Sequence, residues 1–159
     1  MTKNEVVIFT GIPASGKTTF YKERFFPSHV YISLDQLRSR SAEAELLAFC
    51  LRRNRSCVID NTNVKRTDRL RYMELAKTND FRVVGFCFVT RKEDALARNG
   101  RREDWACVRE VAIRTMYREL EYPEMDEGFD ELHFVTIQDG AFNVEACDEK
   151  RNRRPNEGI

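Results

Sequence analysis

Residues 5–18 read Glu5-Val-Val-Ile-Phe-Thr-Gly-Ile-Pro-Ala-Ser-Gly-Lys-Thr18, and this stretch decides the fold. Glu5 to Thr10 is a short apolar run that stops at a glycine, the pattern of a buried strand. A helix is expected from Thr18 towards Phe26, after the loop 11–17. Gly11 to Thr18 matches G-x-x-x-x-G-K-[ST] in full, with a strand before it and a helix after it. Gly11 and Gly16 permit backbone shapes that gather N–H groups around phosphate oxygens. The following helix adds its positive dipole end. Lys17 can neutralise a transferring phosphate, and the Thr18 hydroxyl can ligate Mg²⁺. The expected nucleotide-binding set is Gly11, Ala14, Ser15, Gly16, Lys17, Thr18 and Thr19, with ATP and Mg²⁺ as cofactors.

Outward from this loop, strands alternate with helical segments. Strands are expected at 29–33, 56–60, 81–89 and 131–136. Helical composition fills 36–54, 65–79, 92–99 and about 107–121, with Gly100 as a C-terminal cap. The pattern predicts an α/β fold of three layers with a mostly parallel five-stranded sheet. Residues 1–147 read as one P-loop kinase domain, and 148–159 as a polar tail. In such a sheet the crevice lies outside the carboxyl ends of the strands. Gly11–Lys17, Asp35 and Asp60-Asn61-Thr62-Asn63 each follow an expected strand, so three polar clusters converge.

Asp35 and Arg38 are three residues apart, which in a helix puts them on one face. A carboxylate there can accept a proton from an attacking hydroxyl, and an arginine can hold a phosphate by a bidentate contact. A helix-capping aspartate beside a surface arginine is the structural alternative. Asp60 is placed to join Thr18 in the Mg²⁺ shell. For 60–63 the alternative is an Asx-type turn entering the next helix. Between 98 and 118 stand six arginines (98, 101, 102, 109, 114, 118) against three acids (103, 104, 110). A lid over the phosphates, about 98–107, is expected from them; Arg109 and Arg118 suit a solvated helix face.

The 159 residues are 42% hydrophobic and 33% charged, ordinary for a globular domain. Lys plus Arg number 27 and Asp plus Glu 26, so net charge points to no polyanion. The five cysteines include no C-x-x-C pair, which favours free thiols in a reducing compartment. His29 and His133 are far apart and read as core or surface residues. No run is long enough for a membrane span, and the expected location is cytoplasmic.

Taken together, these residues resemble the kinase domain of the 5′-hydroxyl polynucleotide kinases. The resemblance rests on Gly11–Thr18, the Asp35-x-x-Arg38 pair, Val58-Ile59-Asp60-Asn61-Thr62-Asn63, and Arg98-Asn99-Gly100-Arg101-Arg102 followed by Val111 to Tyr117. It implies that Asp35 is the general base on a 5′-hydroxyl and that Arg38 grips the 3′-phosphate of the terminal nucleotide. It implies lid roles for Arg98 and Arg102 on ATP, and substrate-side roles for Asn61 and Thr62. Members of the family carry fused phosphatase or ligase domains, which this chain is too short to hold; such a partner on another chain is then open. Glu103-Asp104-Trp105 puts acids into the lid, a departure from a surface built for a polyanion. The expectation is γ-phosphoryl transfer from ATP to the 5′-OH end of DNA or RNA, with Lys17, Asp35 and Arg102 catalytic. A P-loop kinase for a nucleoside or small metabolite, and a nucleotide-hydrolysing switch without an acceptor, are the competing readings.

Overall fold

The computed structural model describes residues 2–147; the expected tail, 148–159, lies outside them. The element order is β1 (Glu5–Thr10), α1 (Lys17–Arg24), β2 (Val30–Ile32), α2 (Leu34–Leu37), α3 (Arg40–Arg52), β3 (Cys57–Ile59), α4 (Arg66–Thr78), β4 (Arg82–Phe88), α5 (Lys92–Gly100), α6 (Glu110–Glu119), a 3₁₀ turn (Met125–Glu127), β5 (Glu131–Gln138) and β6 (Ala141–Ala146).

One six-stranded sheet runs β2-β3-β1-β4-β5-β6. All pairs are parallel except β5 with β6. The strand that feeds the phosphate loop is therefore interior. The chain goes from β1 outward to β2, returns through β3, and then crosses β1 to β4. That reversal puts the crevice at the carboxyl ends of β1 and β3.

Alternation along β1 divides the core. Val6 and Ile8 pack with Leu47, Cys50, Tyr72, Met73 and Ala76 of α3 and α4. Val7 and Phe9 pack on the other face with Phe20 and Tyr21 of α1. Helices thus cover both faces, as the expected three-layer fold requires. Phe9, Phe20 and Phe88 are each about fully buried and meet edge to face at 5.1–5.9 Å. Burying a ring of this size contributes about 1.5–3 kcal/mol. A third, smaller cluster joins Ile12 of the phosphate loop to Ala95 of α5 and Ile113 of α6.

The sheet has one strand more than expected, because β5 continues into a hairpin. Asp139 and Gly140 both take positive φ, 50° and 76°, the demand of a two-residue turn that matches strand twist. The hairpin reaches the phosphate loop. A Cβ on Gly16, itself at φ 95°, would stand 3.1 Å from Ile137 of β5 and from Phe142 of β6.

Three helix expectations need correction. The stretch 36–54 is not one helix: α2 stops at Leu37, Arg38 takes the left-handed conformation (φ 55°), and Ser39 starts α3 by accepting from Ala42 N–H at 3.2 Å. Asp35 and Arg38 therefore do not share a continuous helix face. Gly100 is the last residue of α5, and Arg101 caps it. Finally, α6 starts at Glu110 instead of 107. The Asn99 side chain holds Val108 outside the helix, accepting from its N–H at 2.9 Å and donating to its C=O at 2.6 Å.

Candidate active site

The loop 11–17 carries its lysine folded inward. Lys17 Nζ donates to the carbonyls of Gly11 and Ile12, both at 2.9 Å, and lies 3.4 Å from Ser15 Oγ. Ala14 and Gly16 are in left-handed conformations, which turns successive N–H groups of the loop inward. Burial pushes the Lys17 ammonium below its ordinary value; the Asp60 and Asp35 carboxylates act against that, and Arg102 acts with it. Residues from four separate stretches of sequence thus share one electrostatic neighbourhood, as the carboxyl-edge argument requires.

At the end of β3, Asp60 is 6% exposed. Its Oδ2 accepts from Thr18 Oγ1 at 3.0 Å and from Tyr31 Oη at 2.6 Å. Thr18 and Asp60 offer hard oxygens, the donors Mg²⁺ takes, and Mg²⁺ characteristically uses only one or two protein oxygens alongside substrate phosphates. The residues present fit that ion. Among the described residues there is no group of three or more His, Cys, Asp or Glu placed to hold a metal. Tyr31 was not singled out in the sequence. Burial, then Asp60, raises its phenol above the usual range, so it remains a donor.

The segment 60–63 is pinned residue by residue. Thr62 C=O accepts from Gly11 N–H at 3.0 Å. Asn63, at φ 44°, donates from Nδ2 to Phe9 C=O at 2.8 Å. Arg69, fully buried, donates to Asn63 C=O at 2.8 Å and grips Glu127 with two further bonds at 2.7 and 2.8 Å. Asn61 Oδ1 accepts from Leu34 N–H at 2.9 Å. Asn63 does not make the Asx-type turn: its side chain donates to a carbonyl of β1, 54 residues away. Arg69 was hidden from sequence reasoning, since a lone arginine on a charged helix gives no sign of burial.

Asp35 of α2 and Arg38, which caps it, are both exposed, as are Thr18 and Thr19 of α1. In the segment 98–107, Arg98 is half-buried, with Nη1 3.4 Å from Ala14 C=O of the phosphate loop. Arg101, Arg102, Arg109, Arg114 and Arg118 are exposed. Trp105, the protein's single tryptophan, is 88% exposed in the same segment. The Asn99–Val108 pair closes the base of the loop that carries Arg101, Arg102 and Trp105.

Cys50, Cys57, Cys87 and Cys107 are free thiols. Cys50, Cys57 and Cys87 are buried, and burial pushes the Cys87 thiol up to about 12. His29 bonds Glu5 at 3.0 Å and His133 stacks on Phe86. No helix among the described residues is long and apolar enough to cross a membrane.

The parallel sheet, the phosphate loop on its interior strand and the carboxylates at the same edge define a nucleotide-binding enzyme of the P-loop kinase type. The chain belongs to the AAA domain family, whose model matches residues 6–123.

Two curated relatives are similar over 85% of this chain. One, from Acanthamoeba polyphaga mimivirus, is provisionally named a bifunctional polynucleotide phosphatase/kinase; it is 29% identical, with 34% of its own length covered. The other is the bifunctional polynucleotide phosphatase/kinase of Schizosaccharomyces pombe, 24% identical, with 35% covered. The chain therefore spans about a third of the length of the curated relatives it matches. Solved structures share the fold. Chaetomium thermophilum Kti12, in complex with ADP-AlF3, superposes with a TM-score of 0.66 at 21% identity, covering 84% of this chain and 90% of that one. A chain of the Pnkp1/Rnl/Hen1 RNA repair complex gives 0.60 at 22%, covering 82% and 47%. A gluconokinase from Sinorhizobium meliloti gives 0.59 at 16%, covering 86% and 84%.

Proposed function

We propose that this protein transfers the γ-phosphoryl group of ATP to the 5′-hydroxyl end of DNA or RNA. The observation that carries the reading is the Thr18–Asp60 contact of 3.0 Å beside the phosphate loop that folds Lys17 inward, with Asp35 and Arg38 exposed on the segment that follows β2. The names of the two curated relatives point the same way.

In this reading ATP lies with its phosphates on loop 11–17, held by the N–H groups of Ala14 to Thr19 and by Lys17, while Gly11, whose N–H is taken by Thr62 C=O, serves the turn. Lys17 leaves the loop carbonyls for the phosphate. Thr18 and Asp60 would hold Mg²⁺, and the ion would supply charge neutralisation. Asp35 takes the proton of the 5′-hydroxyl. The freed oxygen forms the new bond to the γ-phosphorus as the bond to the bridging oxygen of ADP breaks. Arg98 and Arg102, on a lid of residues 98–107, stabilise the charge spread over the transferring group. Arg38 holds the 3′-phosphate of the terminal nucleotide, and Thr62 contacts the acceptor. The kinase unit is residues 1–147, and its place of action is the cytoplasm, where unpaired thiols persist. A phosphatase or ligase acting on the same ends would come from outside these residues.

The test is transfer of label from γ-labelled ATP to a 5′-OH oligonucleotide, beside a nucleoside and gluconate. Labelled oligonucleotide is the expected product. Label on gluconate or the nucleoside alone would move the chain to the metabolite kinases, and release of inorganic phosphate alone would make it a nucleotide-hydrolysing switch.

A further inference from the structure

Glu43 of α3 is a carboxylate that is 3% exposed and that the proposed chemistry does not use. Its Oε2 accepts from Asn61 Nδ2 at 2.7 Å. Its Oε1 accepts from Tyr72 Oη at 3.0 Å and from Arg40 Nη1 at 3.1 Å. The second Asn61 Nδ2 hydrogen goes to Tyr72 Oη at 3.2 Å, and Arg40 Nη1 reaches the same oxygen at 3.1 Å. Both donors of the Asn61 amide are thus spent within the protein, and its oxygen takes Leu34 N–H.

Leu34 is the first residue of α2, and Asp35 is the second. The first N–H groups of a helix have no partner inside it. Ser33, the N-cap, supplies no side-chain bond. Asn61 does so instead, from another strand's end. A helix of four residues has no stability of its own, so its place depends on what holds its ends. Glu43 orients that amide: with a carboxylate against Nδ2, Oδ1 must point at Leu34. Burial, then Glu43, raises the Tyr72 phenol above its ordinary value, so it stays a donor to the carboxylate.

We infer that Glu43, Asn61 and Tyr72 are positioning residues for Asp35, and that Asn61 acts through Leu34 N–H rather than on the acceptor. The inference rests on the proposed role of Asp35 as base.

The test exchanges donor and acceptor. Asn61→Asp keeps an oxygen for Leu34 but sets a carboxylate against Glu43. Adding Glu43→Gln returns a donor to that contact. Hydrogen exchange at the amides of 34–38, nucleotide affinity with a fluorescent ADP analogue, and kcat for a 5′-OH oligonucleotide are measured on each. Asn61→Asp should speed exchange at 34–38 about tenfold and slow kcat by about ten- to a hundredfold, the scale of a small misplacement, with nucleotide affinity within about twofold. The double variant should recover both to within about threefold of the parent. Unchanged exchange in Asn61→Asp overturns the inference. So does a double variant that recovers exchange without kcat, which would put Asn61 on the acceptor itself. If the parent protein labels no oligonucleotide, the functional reading fails, and the exchange measurements still decide whether the network holds α2.

Discussion

Thr18 Oγ1, in the first turn of α1, donates to Asp60 Oδ2 at the end of β3 across 3.0 Å. The two residues are 42 apart in sequence, and the order β3-β1 brings them together. Both offer hard oxygens of the kind Mg²⁺ takes. Asp60→Asn should cut transfer about a hundredfold and raise the Mg²⁺ needed for half-maximal rate. A Mg²⁺ titration decides. An unchanged requirement would reduce Asp60 to an acceptor for Thr18 and Tyr31.

Asp35 is exposed on a helix that Asn61 already caps, so its carboxylate is not needed as a cap. Asp35→Asn should lower kcat about a hundredfold or more, because an amide is a poor base. ATP affinity and melting temperature should stay near the parent's. Retained kcat would remove Asp35 from the chemistry.

The proposed role of Arg98 and Arg102 calls for planar, two-point contact with phosphate. Arg102→Lys keeps the charge but loses the fork, so it should recover under about a tenth of parental kcat. Full activity in the lysine variant would argue for simple charge. Trp105, as the single tryptophan, gives the same question an optical readout: its emission should shift when ATP is added to the parent and less so in Arg102→Ala.

Arg69 and Glu127 form a buried pair, with side chains 0% and 5% exposed. Arg69→Met leaves a buried carboxylate unpaired and frees Asn63 C=O. The expected loss is about 3–5 kcal/mol in urea unfolding. A loss below about 1 kcal/mol would mean that Glu127 finds water instead.

Much of this fold was legible because its signals are local. The apolar run Glu5–Thr10, Gly11 and Gly16 at fixed spacing, and Lys17 at a helix start are enough to name a phosphate loop. Alternating strands and helices then place Asp35 and Asp60 at the same edge. The break at Arg38 was readable in part, since Ser39 is a good N-cap inside a helical composition. So was the hairpin at Asp139-Gly140, a strong turn dipeptide directly after a strand. Glu43, Asn61, Arg69 and Tyr72 are different. Their meaning lies in partners as far as 58 residues away, and a buried glutamate looks the same in sequence as an exposed one. Asn99 is similar: its amide shapes the lid by bonding one backbone unit, Val108, and no residue pattern announces that.

The most direct test compares two acceptors on two proteins. A nucleoside 3′-monophosphate offers the 5′-hydroxyl and a phosphate for Arg38; the bare nucleoside offers the hydroxyl alone. A charged bidentate contact contributes about 1.5–3 kcal/mol, or about ten- to a hundredfold in kcat/KM. The parent should phosphorylate the 3′-monophosphate at its 5′ position and prefer it by that factor. Arg38→Ala should abolish the preference while leaving the slow reaction with the nucleoside unchanged. A parent that prefers the bare nucleoside, or equal losses on both acceptors in Arg38→Ala, would contradict a polynucleotide end as the substrate.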